Sequence, residues 1–182
     1  FVICSQNHDQ VGNRMLGERL GALTDFDGLK LAAGLLLTTP YVPLLFMGQE
    51  YAETAPFLYF VSHGDPDLVQ AVREGRKAEF AAFAWKGTPP DPDAEETFKR
   101  SKLNHDLRKD GHHAIIYRLY KTLLDLRKYS PTLTNPDRRG TRVYADVAAR
   151  IIGLDRRGAA GAFRMIYNLN TDAPATLTLP AD

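Results

Sequence analysis

Apolar residues stand at consecutive positions in Phe1-Val2-Ile3-Cys4 and again over residues 42–47. Such runs predict strands buried on both faces, as in a parallel sheet wrapped by helices. Between them, residues 29–38 predict a buried helix that stops before Pro40. The whole stretch from 29 to 47 is almost continuously apolar, but Lys30, Pro40 and Pro43 interrupt it, and a membrane-spanning helix needs about 20 apolar residues. No membrane span is therefore expected. Strand, polar segment, helix, strand is the βαβ pattern of an α/β fold.

Further along, Asp65-Pro66 predicts a helix start, with Asp as N-cap and Pro in the first turn. Leu68, Val69, Val72, Phe80 and Phe83 form its apolar stripe, interrupted by Gly75. Residues 87–93 hold Pro89, Pro90 and Pro92 and predict a loop. Residues 113–128 follow the 3.6 period most clearly through Ile116, Leu119, Tyr120, Leu123, Leu124 and Arg127. Arg127-Lys128 suits the negative end of that helix dipole. After Ser130-Pro131 the pattern changes to short β-prone runs at 142–144, 150–154, 162–168 and 175–179, with turns at 158–161 and 168–174. An antiparallel β-domain is expected there, and Asp182 follows its last strand directly.

Composition narrows the class. The 182 residues are 44% hydrophobic and 25% charged, which suits a folded globular chain rather than a disordered one. A formal charge of +1 offers no surplus to attract a polyanion, so nucleic acid is not an expected partner. One cysteine cannot form an internal disulfide and fits a reducing, cytoplasmic setting. Phe1 in place of Met is expected to mark the interior of a longer gene product.

Both predicted strands run into residues able to do chemistry: Asn7-His8-Asp9-Gln10 after the first, Gly48-Gln49-Glu50-Tyr51 after the second. Ligands of α/β folds bind at the carboxyl ends of parallel strands. A neighbouring carboxylate and imidazole can hold vicinal hydroxyls through charge-assisted hydrogen bonds, though the same residues serve equally as a solvated loop with a helix cap. Glu50 could line a substrate subsite or simply hydrogen-bond at the rim. Asp25 and Asp27 read as cap and first-turn acids of the apolar helix, Glu53 as loop surface, and Arg14 as one half of an ion pair holding its loop. Tyr51, Phe57, Tyr59 and Phe60 are a sugar-stacking wall or the packing of a long loop. His112 and His113 are adjacent on a helix start and cannot share a face, while His63 and His105 fall in expected loops. No cysteine pair joins them, so no metal site is expected. Cys4 reads as a buried strand residue without an activating base. No glycine loop has a phosphate-cradling spacing.

The string Gln6-Asn7-His8-Asp9-Gln10-Val11-Gly12-Asn13-Arg14, with Leu44-Leu45-Phe46-Met47-Gly48-Gln49-Glu50, resembles the seventh and eighth strand segments of α-amylase-family glycoside hydrolases. Ala52-Glu53-Thr54-Ala55-Pro56-Phe57, Glu74-Gly75-Arg76-Lys77-Ala78-Glu79-Phe80 and Ser101-Lys102-Leu103 are similar to a trehalose-releasing subgroup of it. The resemblance implies an α/β fold: the last two βα units of a TIM (β/α)8 barrel over residues 1–130, with a long insertion at about 51–110, then part of an all-β C-terminal sandwich over 131–182. It also implies a malto-oligosyltrehalose or related α-glucan substrate, Asp9 as a catalytic acid that grips the sugar at the cleavage point, and His8, Gln10 and Glu50 as substrate-binding residues. No cofactor is implied. A retaining mechanism further needs a nucleophile and a general acid about 5–5.5 Å apart, which the family takes from earlier strands, so the isolated fragment is expected to be inactive. A glycogen-branching or other α-glucan transferase is the neighbouring alternative. A non-catalytic carbohydrate-binding module built on the β-rich tail is the alternative from another class.

Overall fold

The computed structural model describes residues 1–82, 87–170 and 173–176. Phe83 and positions 177–179 of the last β-prone run lie outside the described residues. The order of regular elements is β1 (Val2–Ile3), α1 (His8–Gly12), α2 (Phe26–Thr38), β2 (Val42–Pro43), α3 (Pro66–Ala82), α4 (Glu95–Arg100), α5 (Gly111–Tyr129), α6 (Pro131–Thr134), β3 (Thr141–Asp146), β4 (Ile151–Gly158) and β5 (Gly161–Asn168). The chain is thus α/β, with one parallel strand pair and a small antiparallel sheet. No helix among the described residues is long and apolar enough to cross a membrane.

Two compact units interleave along the sequence: Phe1–Ile3, Lys30–Pro43 and Leu119–Asp182 form one, Cys4–Leu29 and Leu44–Arg118 the other. The first holds β1 paired parallel to β2, with Val2 opposite Val42, and the meander β3-β4-β5. Two expectations fail at β1 and β2. Both strands are short, spanning two residues each. They are also uncovered: Val2 is 64% exposed and Val42 58%. Cys4 falls just past the strand and is partly exposed rather than a buried strand residue.

The core of this unit gathers Ala33, Leu36 and Leu37 of α2 with Tyr120, Leu133, Ile151, Leu154 and Tyr167. Two arginines satisfy carbonyls at the C-terminus of α2 and just beyond it. Arg127 donates to Leu37 O, Thr39 O and Tyr41 O at 3.0, 2.6 and 2.5 Å. Arg156, 2% exposed, donates to Thr38 O at 3.3 Å, to Leu133 O at 3.0 Å and to Asn135 O. Cations at the negative pole of a helix are favourable as well as bonded. Across β4 and β5, Asp155 and Arg164 are direct partners and form a bidentate pair at 2.8 and 2.9 Å, which holds the Asp155 carboxyl below its usual range.

In the second unit the core is Val11, Met15, Phe46, Tyr51, Leu58, Val69, Phe80 and Ile116. Asp65 caps α3 as expected, accepting from Asp67 N at 2.9 Å, and Gly75 does not break the helix. Leu68, however, is exposed: the buried stripe runs through Val69 and Phe80, and a neighbouring position lies about 100° around the helix. Leu124 of α5 is also exposed, although it stands one turn beyond buried Tyr120 on the same stripe. Asp25 caps α2 through Gly28 N at 2.7 Å, with Asp27 in its first turn.

Candidate functional site

After β1, residues 4–7 are irregular and lead into a helix rather than a longer loop. Asn7 is an N-cap whose side chain accepts from Gln10 N at 2.8 Å, so His8, Asp9 and Gln10 lie in the short helix α1. His8 Nε2 stands 3.2 Å from Asp9 Oδ1, and their side chains are 73% and 71% exposed. Gln10 is also exposed; its Oε1 lies 4.0 Å from Cys4 Sγ. The pair therefore faces solvent with its hydrogen-bonding capacity largely unspent on the protein, an arrangement able to grip a polar ligand.

Buried neighbours hold that helix in place. Gln6, 6% exposed, accepts from Leu20 N at 3.1 Å and spans the turn beneath α1. Arg14 meets Glu18 at 3.2 Å, the ion pair expected of it. Gly17 has φ +60°, and a Cβ there would sit 2.5 Å from the Phe57 carbonyl, so only glycine fits. Its own carbonyl accepts from Phe57 N at 2.9 Å, stitching the segment after α1 to the loop after β2.

That loop starts with Gly48 and a 3-10 turn, Gln49–Tyr51. Gln49 accepts from Phe46 N at 2.8 Å and donates to Ser5 Oγ at 3.3 Å. Glu50 is half-buried in the turn, and no hydrogen bond or ion pair among the described residues joins it to His8, Asp9 or Gln10.

Glu53 is not loop surface. It is 3% exposed; Oε1 accepts from Thr54 N and Ala55 N at 2.8 and 2.9 Å, and Oε2 from Tyr51 hydroxyl and Asn104 N at 3.1 and 2.6 Å. Burial, reinforced by the Glu53 carboxylate, pushes the Tyr51 phenol up to about 12. Arg19, 4% exposed, donates to Ala55 O at 2.6 Å and Met47 O at 2.7 Å. Burial lowers its guanidinium and nearby Glu53 opposes that shift. The sequence alone did not mark either residue: neither sits in a periodic pattern, and Asn104 for Glu53 and Met47 and Ala55 for Arg19 lie far along the chain. Gly48 (φ +85°) makes room for this turn, since a Cβ would come 2.8 Å from Glu53 Cβ.

The aromatic residues divide. Tyr51 is buried in the network, and Phe57 packs edge-on against Phe46 and Phe60 at 5.2 and 6.2 Å. Tyr59 and Phe60 are exposed, though the Arg76 guanidinium sits 4.5 Å from the Tyr59 ring. His113 Nδ1 is 2.9 Å from Tyr51 O, His112 stacks on Phe26 with centroids 4.4 Å apart, and His105, in a 3-10 turn rather than a loop, lies 3.4 Å from the Tyr51 hydroxyl. Among the described residues no group of His, Cys, Asp and Glu could hold a metal ion.

Comparison with known proteins gives a consistent set of relatives. The chain is 42% identical over 181 residues to the malto-oligosyltrehalose trehalohydrolase of Rhizobium sp., covering 99% of this chain and 30% of the relative. It is 45% identical over 189 residues to the enzyme of that name from Deinococcus radiodurans, with 99% and 30% coverage. A crystal structure of a Salmonella typhimurium protein assigned as an α-amylase superposes with a TM-score of 0.85 at 37% identity, covering all of this chain and 31% of that one. No family model matches. The chain spans about 30% of the length of these curated relatives.

Proposed function

The chain belongs to the malto-oligosyltrehalose trehalohydrolase family of α-amylase-like glycosidases, and from that premise we propose that it carries one third of the acid machinery of a retaining α-glucosidic hydrolase. On this reading residues 1–130 are the last two βα units of a (β/α)8 barrel with a long insertion, and residues 131–182 part of a C-terminal β-sandwich. The full enzyme cleaves the α-1,4 bond next to the terminal trehalose of malto-oligosyltrehalose, releases trehalose, and works in the cytoplasm without a cofactor.

The observation that carries this reading is the exposed His8–Asp9 pair, fixed on a capped helix directly after a parallel strand. Asp9 accepts hydrogen bonds from hydroxyls of the sugar at the cleavage point, and those bonds strengthen as the ring flattens toward its oxocarbenium-like transition state. His8 holds the same sugar as a donor, with Gln10 and Glu50 lining the substrate path. The nucleophile and the general acid come from outside these 182 residues, so the chain alone is inactive.

Product analysis of the intact gene product on malto-oligosyltrehalose tests the reading. Free trehalose and a shortened maltodextrin are expected, and branched glucan in their place overturns it in favour of a transferase. Asp9→Asn should lower kcat by about 10²–10⁴ with little change in stability, since several kcal/mol of transition-state binding are at stake.

A further inference from the structure

We propose that Arg76 is a positioning residue for Asp9: from α3 it clamps the C-terminal end of α1, the helix that carries the carboxylate. The inference rests on the function proposed above, in which Asp9 acts on the sugar. Arg76, Gly12 and Asp9 all belong to the Cys4–Leu29 and Leu44–Arg118 unit.

Asp9 needs such a device because its side chain is not tied down by the protein. The carboxylate is 71% exposed, and its ion-pair partner, His8, is itself 73% exposed. Its place is therefore set by the backbone of α1. That helix has five residues, and isolated helices shorter than roughly 12–15 residues are marginal in water. The Asn7 cap secures its start, and burial of Val11 secures its inner side. At its end, Asn13 N donates to Asp9 O at 3.0 Å and Arg14 N to Val11 O at 3.1 Å. Gly12 O accepts from Arg76 Nη2 at 3.0 Å, 64 residues further along the chain. Gly12 directly precedes Asn13, whose N–H holds the Asp9 carbonyl, so a shift at Gly12 reaches Asp9 within one turn.

Arg76 is itself held still. Its side chain is 12% exposed, and Nη1 donates to Glu79 Oε2 at 2.8 Å. The guanidinium carbon stands 4.5 Å from the centroid of the Tyr59 ring and 4.6 Å from that of Phe80. Glu79 and the two rings fix the plane of the guanidinium fork, and the fork fixes Gly12. Nη1 and Nη2 are both engaged by the chain, so Arg76 acts through α1 and not on substrate.

Steady-state kinetics of the intact gene product on malto-oligosyltrehalose, with Asp9→Asn, Arg76→Met and the double variant, test this. Arg76→Met should lower kcat about tenfold or more and leave KM within about threefold, since a small displacement of a group that acts in the transition state is costly. In the Asp9→Asn background the same change should lower kcat by no more than about twofold, because no carboxylate remains to be positioned. A merely structural role would instead multiply the two losses. Arg76→Lys keeps the charge and the stem but not the fork. It should lower kcat about threefold or more, again only where Asp9 is present, and serves if methionine disturbs folding. Equal losses in both backgrounds, or wild-type kcat in the Arg76 variants while Asp9→Asn is impaired, overturn the role of Arg76 alone. Wild-type kcat in Asp9→Asn overturns the function proposed above and the role of Arg76 with it.

Discussion

The His8–Asp9 pair and the Glu53 network belong to the same compact unit, yet their hydrogen bonds are distributed in opposite ways. Glu53 is buried and every acceptor direction is filled by chain donors from nearby in sequence and from Asn104, 51 residues away. His8 and Asp9 touch each other and are otherwise open to solvent. The first arrangement spends polar groups on holding a loop; the second leaves them exposed. A carboxylate is therefore informative about ligand chemistry here in proportion to what the fold leaves unpaired, and an acidic residue in a loop is not by default surface.

Removing the saturated carboxylate should have the largest effect on stability. Glu53→Ala leaves buried donors unpaired and Arg19 without its counter-charge, and should cost about 3–5 kcal/mol in urea unfolding. A loss below about 1 kcal/mol would mean that the backbone turn, not the carboxylate, holds the loop. Arg156→Met tests the same principle in the other unit: it strands carbonyls of Thr38, Leu133 and Asn135 and should cost about 2–3 kcal/mol.

A third contrast is in pH. Tyr51 titrates near 10 when unfolded and is held at about 12 when folded, so the folded chain keeps a proton that the unfolded chain releases. Its stabilising contribution is complete below about pH 10 and is lost as pH rises towards 12. Thermal melts across that window should show a fall in Tm that is reduced in Tyr51→Phe. The smallest effect belongs to the exposed pair. Asp9→Asn should change unfolding stability by no more than about 0.5 kcal/mol, as for other surface sites. A larger loss would make Asp9 part of the scaffold and blur the contrast with Glu53.

Long periodic elements were legible because a single buried face repeats in sequence. The helix expected over 113–128 is observed as Gly111–Tyr129, and the β-runs at 142–144, 150–154 and 162–168 lie in or overlap β3, β4 and β5. Asp65 and Asp25 were readable as caps because capping is decided within four residues. The position of His8 and Asp9 after a strand was legible, but their backbone was not: Asn7 capping turns the expected loop into a helix. Glu53 and Arg19 were illegible for a different reason. Their partners are set by Gly48, by Asn104 and by the carbonyls of Met47 and Ala55, none of which leaves a periodic trace. The apolar runs at β1 and β2 specify strands that need cover, and Val2 and Val42 are exposed in a chain that spans about 30% of its relatives' length.

By itself, then, the sequence determined the order of elements, the helix caps, the parallel character of the first strand pair and the position of His8 and Asp9 after its first strand. Those features follow from local sterics, periodicity and short-range hydrogen bonds. Tertiary structure alone decided which polar side chains remain free. That choice depends on donors brought together across tens of residues, and it separates Asp9, exposed and unspent, from Glu53, buried and fully bonded.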